Sequence, residues 1–199
     1  PVDNDRKKYA QPMFAAGFTQ LRYHPKPLKA EKVGEEGVVK TRVTVNAAKS
    51  GGFDHASTWR FGKDGSFVIE HEIAPFGNVP ELPRLGVTWR LDGSLSEVGY
   101  YGRGPHENYV DRNSGAFVGL YESTVTDQFV NYVRPQDNGY KSDVRWAAFV
   151  NAEGRGVKFS ASEPLFVQAL HFTAEDMEFA RHRNGQQRFR APLVPRPEV

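Results

Sequence analysis

The chain of 199 residues carries 26 basic and 24 acidic side chains, and its net charge of +2 is too small to indicate a nucleic-acid or membrane partner. Its length fits one large domain, and an aromatic content of 13% can supply a substantial core. Disulfide bonds are excluded because cysteine is absent, and no apolar run reaches the length of a membrane span or a signal-peptide core.

Successive segments alternate apolar and polar side chains with a period of two, which is typical of half-buried β-strands. Asp64-Gly65 and Asp92-Gly93 indicate tight hairpin turns, and residues 151–156 indicate a looser hairpin loop. The segment 165–172 is apolar on both faces, which is typical of a strand between two packed layers. We therefore predict an antiparallel all-β domain of two packed sheets over residues 1–180. The predicted strands are 38–45, 67–73, 85–91, 144–150, 157–161 and 165–172.

One helix start is predicted, at Thr173, where Glu175 and Asp176 follow at positions that can cap a first turn. Residues 181–199 hold five arginines, three prolines and a single acidic side chain, and they lack strand alternation. We expect this basic, proline-containing tail to be irregular and solvated. A nucleic-acid-binding arm is the less favoured alternative.

The stretch YYGRGPHENYVDR, residues 100–112, is crowded with side chains that can carry acid–base chemistry. Glu107 and Asp111 form the local pair of carboxylates, and a glycosidase needs two such groups flanking the scissile bond. Neighbouring arginines could keep either carboxylate ionised, and His106 could transfer a proton. On its residues alone, the stretch leaves a catalytic role open.

A structural role for the same stretch is favoured over the catalytic one. Gly102 and Gly104 are expected to form a sharp bend that Pro105 fixes. The polar side chains would then bond to buried backbone groups that a long connection leaves unpaired. The surrounding sequence offers no second proton donor, which also favours the structural interpretation.

No metal or cofactor site is predicted. The six histidines include no pair at the i, i+4 spacing of a helical zinc site, and His71-Glu72 lacks the rest of a zinc-protease motif. Gly102 and Gly104 are not followed by a third glycine at dinucleotide-binding spacing, and they do not open a helix.

Five segments, in this order, resemble the C-terminal small-chain domain (the fifth domain) of bacterial β-galactosidases of glycoside hydrolase family 2. They are PVDND (1–5), LPRLGVTWRL (82–91), YYGRGPHENYVDR (100–112), YVRPQDNGYKSDVRW (132–146) and LHFTAEDME (170–178). The resemblance covers residues 1–180. It implies an all-β fold, an antiparallel β-supersandwich similar to galactose mutarotase.

In this family the domain is the last part of a multidomain enzyme that hydrolyses terminal β-D-galactosides with retention. The acid/base and nucleophile glutamates lie on a separate (β/α)₈ barrel, so the resemblance makes that barrel and the remaining domains the partners of this chain. Glu107 and Asp111 match positions other than the catalytic pair, so no catalytic residue is expected here. The Mg and Na ions of the family enzyme are bound by other domains, so no cofactor is expected in this chain.

The resemblance also implies roles for two sets of residues. The loop 74–83 would approach the active-site rim, with an ordinary surface connection as an equally good interpretation. The substrate-rim candidates are Glu72, Pro75 and Asn78. The structural motif consists of Gly102, Gly104, Pro105, Glu107, Asn108, Tyr109, Asp111, Arg112, Arg134, Pro135, Asn138 and Gly139.

The end of the chain departs from the family pattern. The family domain continues past its TAEDME region into a Gly-rich stretch with a tryptophan that lines the galactose pocket, and residues 181–199 contain no such stretch and no Trp. The chain also begins at Pro1 rather than Met, which favours a fragment. We therefore expect weak self-association and little affinity for galactose from the isolated chain.

The alternative function is a stand-alone carbohydrate-binding or mutarotase-like module. A mutarotase needs a carboxylate base and histidine acids that converge on one concave face, and the spacing of the histidines does not demand that arrangement. The compartment is left open between the bacterial cytoplasm and periplasm, because the absence of cysteine is compatible with both.

Overall fold

The computed structural model describes residues 5–132, 136–173 and 176, and the chain divides into two compact units, Pro1–Val87 and Thr88–Val199. Within these described residues, each unit contains one antiparallel sheet, of five strands in the first and four in the second. This architecture confirms the predicted all-β class. The similarity to the galactose mutarotase fold stays a prediction.

The first unit begins with a π-helical turn, Arg6–Ala10, that runs into helix α1, Gln11–Ala16. Pro12 lies in the first turn of α1, where an N–H would have no intrahelical partner. Gly17 ends the helix with a positive φ of 82°, and its N–H bonds to the Phe14 carbonyl at 3.1 Å. This helix was not predicted, although a proline at the start and a glycine after the end are typical helix boundaries.

Sheet one is formed by β1 (Arg22–Pro25), β2 (Lys29–Val33), β3 (Glu36–Asn46), β4 (Gly52–Phe61) and β5 (Phe67–Phe76). Its order is β1-β3-β4-β5, and β2 also pairs with β3. The hairpin between β4 and β5 turns at Asp64, whose carboxylate accepts the backbone N–H of Ser66 at 3.0 Å. Gly65 takes a positive φ of 82° in this turn. The predicted strands 38–45 and 67–73 and the predicted turn at Asp64-Gly65 are therefore confirmed.

Strand β5 continues to Phe76, so the prediction that residues 74–83 form a loop is wrong at its start. Pro75 pairs with Phe53 of β4 inside the ladder. Proline is tolerated there because β5 is the last strand of its sheet, where one side of the strand needs no backbone donor. The connection begins at Gly77, whose positive φ of 68° takes the chain out of the strand.

Sheet two is formed by β6 (Glu97–Gly104), β7 (Phe117–Thr124), β8 (Lys141–Val150) and β9 (Gly156–Val167). Its order is β7-β6-β8-β9. In the connection between β8 and β9, the Asn151 side chain accepts the backbone N–H of Arg155 at 2.9 Å, which confirms the predicted hairpin loop. The predicted strand 144–150 is also confirmed. The core of this unit is formed by Val98, Tyr100, Val125, Val144, Ala147 and Phe149.

Residues 157–161 and 165–167 of the two predicted strands belong to one strand, β9, and the predicted strand 165–172 is wrong beyond Val167, where β9 ends. The register between β8 and β9 shifts twice near Val144. These irregularities allow β9 to stay paired with β8 through residues 162–164, which separate the two predicted strands. Phe166 is 54% exposed, so the expectation that residues 165–172 are covered on both faces is wrong. Apolar character on both faces therefore does not by itself identify a strand between two layers.

The predicted strand 85–91 is wrong, because this segment pairs with no strand of the described chain. Leu85 and Val87 are 64% and 55% exposed. Trp89 packs on Phe159 of β9 with ring centres 5.4 Å apart. Alternation reports which side chains share a face, whereas a strand also needs a neighbour whose backbone groups are free.

Thr173 and Asp176 exchange the hydrogen bonds of a capping box. The Thr173 hydroxyl accepts the backbone N–H of Asp176 at 3.2 Å, and the Asp176 carboxylate accepts the backbone N–H of Thr173 at 2.9 Å. The predicted helix start at Thr173 is therefore confirmed, while Glu175 and the predicted irregular tail, 181–199, lie outside the described residues. Within the described ranges, no helix is long and apolar enough to cross a membrane.

Candidate functional site

The glycines of the motif lie inside a strand and not in a bend. Gly102 and Gly104 both belong to β6, so the prediction that they form a sharp bend fixed by Pro105 is wrong. A β-carbon on Gly102 would lie 2.8 Å from the Val144 side chain, and one on Gly104 would lie 2.9 Å from the Tyr121 ring. These neighbours lie too close to leave room for a side chain, which explains why glycine occupies both positions. The chain leaves the sheet only after Gly104.

Glu107 is the buried carboxylate of the motif, with 7% of its surface exposed. Its Oε2 accepts the backbone N–H of Gly139 at 2.7 Å, and its Oε1 accepts from the Arg112 guanidinium at 2.5 Å. The Tyr132 hydroxyl also donates to Oε1. Burial acts to raise the pKa of Glu107, but the three hydrogen bonds outweigh it and hold the pKa below the ordinary 4.5. The carboxylate is therefore ionised at neutral pH.

Arg112 is positioned by a tight turn that starts at Tyr109. Its backbone N–H bonds to the Tyr109 carbonyl at 3.0 Å, and its guanidinium carbon lies 4.4 Å from the centre of the Tyr109 ring. Burial and the nearby Glu107 charge raise the pKa of Tyr109 above its usual range, so the phenol stays neutral. Asp111 is exposed because it lies, with Val110, at the tip of this turn. The expectation that Asp111 satisfies a buried backbone group is therefore wrong.

Asn108 is fully buried and joins the connection after β6 to β8. Its side-chain N–H groups donate to the carbonyls of Arg103 at 3.1 Å and His106 at 3.0 Å. Its Oδ1 accepts the backbone N–H of Ser142 at 3.0 Å and the Ser142 hydroxyl at 2.5 Å. The amide thus uses both donors and both acceptor positions, the full capacity of an asparagine side chain.

A second buried asparagine, Asn138, shapes the connection before β8. Its Oδ1 accepts the backbone N–H of Val130 at 3.0 Å, and its Nδ2 donates to the Gln136 carbonyl at 2.9 Å. The next residue, Gly139, has a positive φ of 78°, and a β-carbon there would lie 2.6 Å from the Gln128 carbonyl oxygen. Only glycine fits this position without strain. Two further residues of the motif, Arg134 and Pro135, lie outside the described residues.

Lys141 is a buried cation, 4% exposed, next to the Glu107 network. Its ammonium donates to the Gly139 carbonyl at 3.3 Å and lies 6.0 Å from the centre of the Tyr100 ring. Burial lowers the pKa of Lys141 from 10.5 to about 8, and the Glu107 charge opposes part of that shift. Lys141 lies in the segment YVRPQDNGYKSDVRW, which resembles the family, but nothing in that segment indicates that this lysine is buried. The members of the site that the sequence did not predict are Tyr132, Lys141 and Ser142.

The substrate-rim candidates all lie in the first unit. Glu72 is exposed on β5, where it pairs with Ala56 of β4, and Pro75 lies further along the same strand. Asn78 follows the strand, and its carbonyl accepts the Ser50 hydroxyl at 3.0 Å. The rim role of these residues stays a prediction. Across the described ranges, no group of three His, Asp or Glu side chains is placed to hold a metal ion.

A protein-family model described as beta galactosidase small chain matches residues 1–192. The β-galactosidase of Priestia megaterium is 37% identical over 125 residues, which are 63% of this chain and 12% of the relative. The β-galactosidase of Lactobacillus delbrueckii subsp. bulgaricus is 32% identical over 158 residues, 79% of this chain and 15% of the relative. That of Streptococcus thermophilus is 26% identical over 183 residues, 92% and 18% of the two chains. The chain thus spans less than a fifth of the length of each of these relatives.

Proposed function

The chain belongs to the β-galactosidase small chain family, and we propose that it is the non-catalytic C-terminal domain of a β-galactosidase. The proposed enzyme hydrolyses terminal β-D-galactosides with retention, and its catalytic carboxylates lie on a (β/α)₈ barrel outside this chain. The identities of 26–37% to β-galactosidases support the substrate class. The small share of each relative that the chain spans supports a role as one domain among several.

The state of Glu107 is the observation that carries the non-catalytic role. Its oxygens are committed to three protein donors and its pKa is lowered, so it holds no proton to donate at neutral pH. A retaining glycosidase needs one protonated and one ionised carboxyl group about 5 Å apart across the substrate. Asp111, the other carboxylate of the motif, lies at an exposed turn tip. Glu107 therefore fits a structural role better than a catalytic one, and Asp111 takes no part in its buried hydrogen bonds.

In the proposed enzyme, this chain helps to complete the active-site rim and the multidomain assembly. The exposed carboxylate of Glu72 is able to accept hydrogen bonds from sugar hydroxyl groups. Pro75, held in the ladder, and Asn78, held through Ser50, would give the rim a defined backbone. Galactoside would bind only with the remaining domains in place, and Mg and Na ions would be bound by those domains.

An activity assay on the purified chain tests the non-catalytic role. We expect no hydrolysis of a chromogenic β-galactoside by the 199-residue chain, because Glu107 is ionised and the catalytic carboxylates are proposed to lie outside this chain. The matched variants Glu107→Gln and Asp111→Asn serve as controls for each carboxylate. Turnover that survives purification and is lost on Glu107→Gln in a variant that still folds would overturn the proposal.

A chimeric enzyme tests the role in assembly. The segment of the Priestia megaterium β-galactosidase that matches this chain is replaced by the chain, and activity is compared with a deletion of the same segment. We expect the chimera to be active and the deletion to be inactive. A chimera that folds and assembles but stays inactive would contradict the role.

Calorimetry with galactose distinguishes the alternative of a stand-alone carbohydrate module. The proposal expects no measurable binding of galactose to the isolated chain, because the pocket needs residues from other domains. Tight binding by a monomeric sample would favour the carbohydrate-binding or mutarotase-like function instead.

A further inference from the structure

The edge strands of the two sheets differ in their protection against pairing with another chain. Natural proteins often protect an edge with prolines or lysines. In the described chain, β7 is the edge strand with neither proline nor lysine, and its sequence is FVGLYEST. The protecting residues of the other edge strands are Pro25 in β1, Lys29 and Lys32 in β2, Pro75 in β5, and Lys158 and Pro164 in β9.

Strand β7 combines this unprotected edge with exposed apolar side chains. Phe117 is 75% exposed and Leu120 is 72% exposed. Leu120 lies directly opposite Tyr101 of β6, and Tyr101 lies directly opposite Trp146 of β8. These three side chains therefore form an apolar row that crosses the sheet and ends at the β7 edge.

Two of the three members of this row are already covered by cations. The Arg145 guanidinium lies 5.4 Å from the centre of the Tyr101 ring, and the Lys158 ammonium lies 4.5 Å from the Trp146 ring. Leu120, the member at the edge, remains open to solvent. The one residue of the row that no cation covers, Leu120, thus lies on the strand that has neither proline nor lysine.

The β7 strand is complementary to itself in the antiparallel orientation. A two-fold axis perpendicular to the sheet keeps each face of the sheet on the same side, so Leu120 can lie opposite Leu120 of a second copy. The same register puts Val118 opposite Glu122 and Phe117 opposite Ser123. Because Glu122 is the only charged residue of β7, no two like charges face each other.

We propose that β7 is a self-association edge, at which two copies of this chain pair β7 with β7 and join their four-stranded sheets into one sheet of eight strands. The backbone groups of the edge gain partners, and Leu120 and Phe117 leave water. The apolar row then continues across the axis from one copy to the other. This association requires only the chain itself, so it does not depend on the proposed function.

Sedimentation velocity of the complete 199-residue chain over a wide concentration range tests the proposal. The parent chain is expected to form a dimer as its concentration rises. Leu120→Lys and Leu120→Glu each place like charges opposite each other and are expected to weaken the dimer by about tenfold or more. An equal mixture of the two variants is expected to regain the dimer, because opposite charges then face each other. Val68→Lys, at a 58% exposed valine on β5, is the control and is expected to associate like the parent.

Circular dichroism establishes that each variant keeps the parent fold. Loss of the dimer in both single variants with recovery in the mixture supports the symmetric β7 pairing. A parent chain that is monomeric at every concentration overturns it. Association that survives both substitutions, or that is lost in both and does not return in the mixture, also overturns it, because the contact would then involve a different surface or a different register.

Discussion

The side-chain oxygen of Asn108 accepts two hydrogen bonds from one residue, Ser142, at 3.0 Å from the backbone N–H and at 2.5 Å from the hydroxyl. The two residues are 34 positions apart, one in the connection after β6 and the other in β8. Both are buried, so water does not compete for these groups. These two hydrogen bonds hold the connection after β6 against β8, and neither of them involves a charged group.

Substitution of Asn108 is expected to destabilise the chain. Asn108→Ala leaves the N–H and hydroxyl of Ser142 and two backbone carbonyls without their partner in the interior. We expect the free energy of unfolding to fall by about 1–3 kcal/mol, measured by urea denaturation. The matched control is Asp111→Ala in the same motif, which should change stability by less than about 0.5 kcal/mol because Asp111 is exposed. Equal losses of stability in both variants would contradict the structural role of the Asn108 hydrogen bonds.

Two glycines of β6 provide a second matched pair. A β-carbon on Gly102 would approach the Val144 side chain to 2.8 Å and its Cα to 2.9 Å, whereas one on Gly99 would meet nothing closer than Trp146 at 4.0 Å. Gly102→Ala is therefore expected to destabilise the chain by about 1–3 kcal/mol through overpacking. Gly99→Ala is expected to be neutral or slightly stabilising. Thermal melts in which Gly102→Ala behaves like Gly99→Ala would show that β8 can move away.

A two-residue period identifies strands that have one apolar face, and this explains which strands could be predicted. Strands β3, β5 and β8 alternate clearly and were predicted from the sequence. Strands β6 and β7 carry glycines and apolar side chains on both faces, as in Tyr100-Tyr101 and Phe117-Val118, so their period is hidden. Residues 85–91 alternate yet form no strand, because alternation does not report whether a pairing partner exists.

The candidate site was only partly predictable for a related reason. Glu107 and Asn108 belong to a distinctive local motif, so they could be singled out from the sequence. Tyr132 and Ser142 join them across 25 and 34 positions, through contacts that only the folded sheet creates. Lys141 is buried against the usual preference of lysine, which no local pattern indicates.

The burial of Lys141 predicts an unusual pH dependence of stability. Its folded-state pKa of about 8 lies below the ordinary 10.5, so the unfolded chain binds more protons between these two values. The free energy of unfolding contributed by this residue therefore rises with pH from about 8 to 10.5. Lys141→Met should remove this rise and should match or exceed the parent in stability at pH 7. Urea denaturation at pH 7, 8.5 and 10 measures the free energy of unfolding of both chains. The same pH dependence in the parent and in Lys141→Met would contradict the prediction.

Glu107 predicts a second rise of stability with pH, in the acid range, for a different physical reason. Burial acts to raise its pKa, but the donors Tyr132, Arg112 and Gly139 lower it below 4.5 overall. The folded chain thus holds the ionised form more tightly than the unfolded chain does. The resulting stabilisation is complete above the unfolded pKa and is lost as pH falls through the lower folded pKa.

Glu107→Gln tests this assignment because the amide keeps the volume of the side chain but cannot ionise. At pH 7 the variant should unfold more easily by about 1–3 kcal/mol, since Arg112 and Tyr132 lose a charged acceptor. The difference between parent and variant should shrink as pH falls below about 4.5, because protonation of Glu107 removes the same charge from the parent. Glu153→Gln, in the exposed loop after β8, is the control and should follow the parent at every pH. Denaturation curves at several pH values between 3 and 7 measure the effect, and a difference that stays constant over this range would show that the charge of Glu107 does not stabilise the fold.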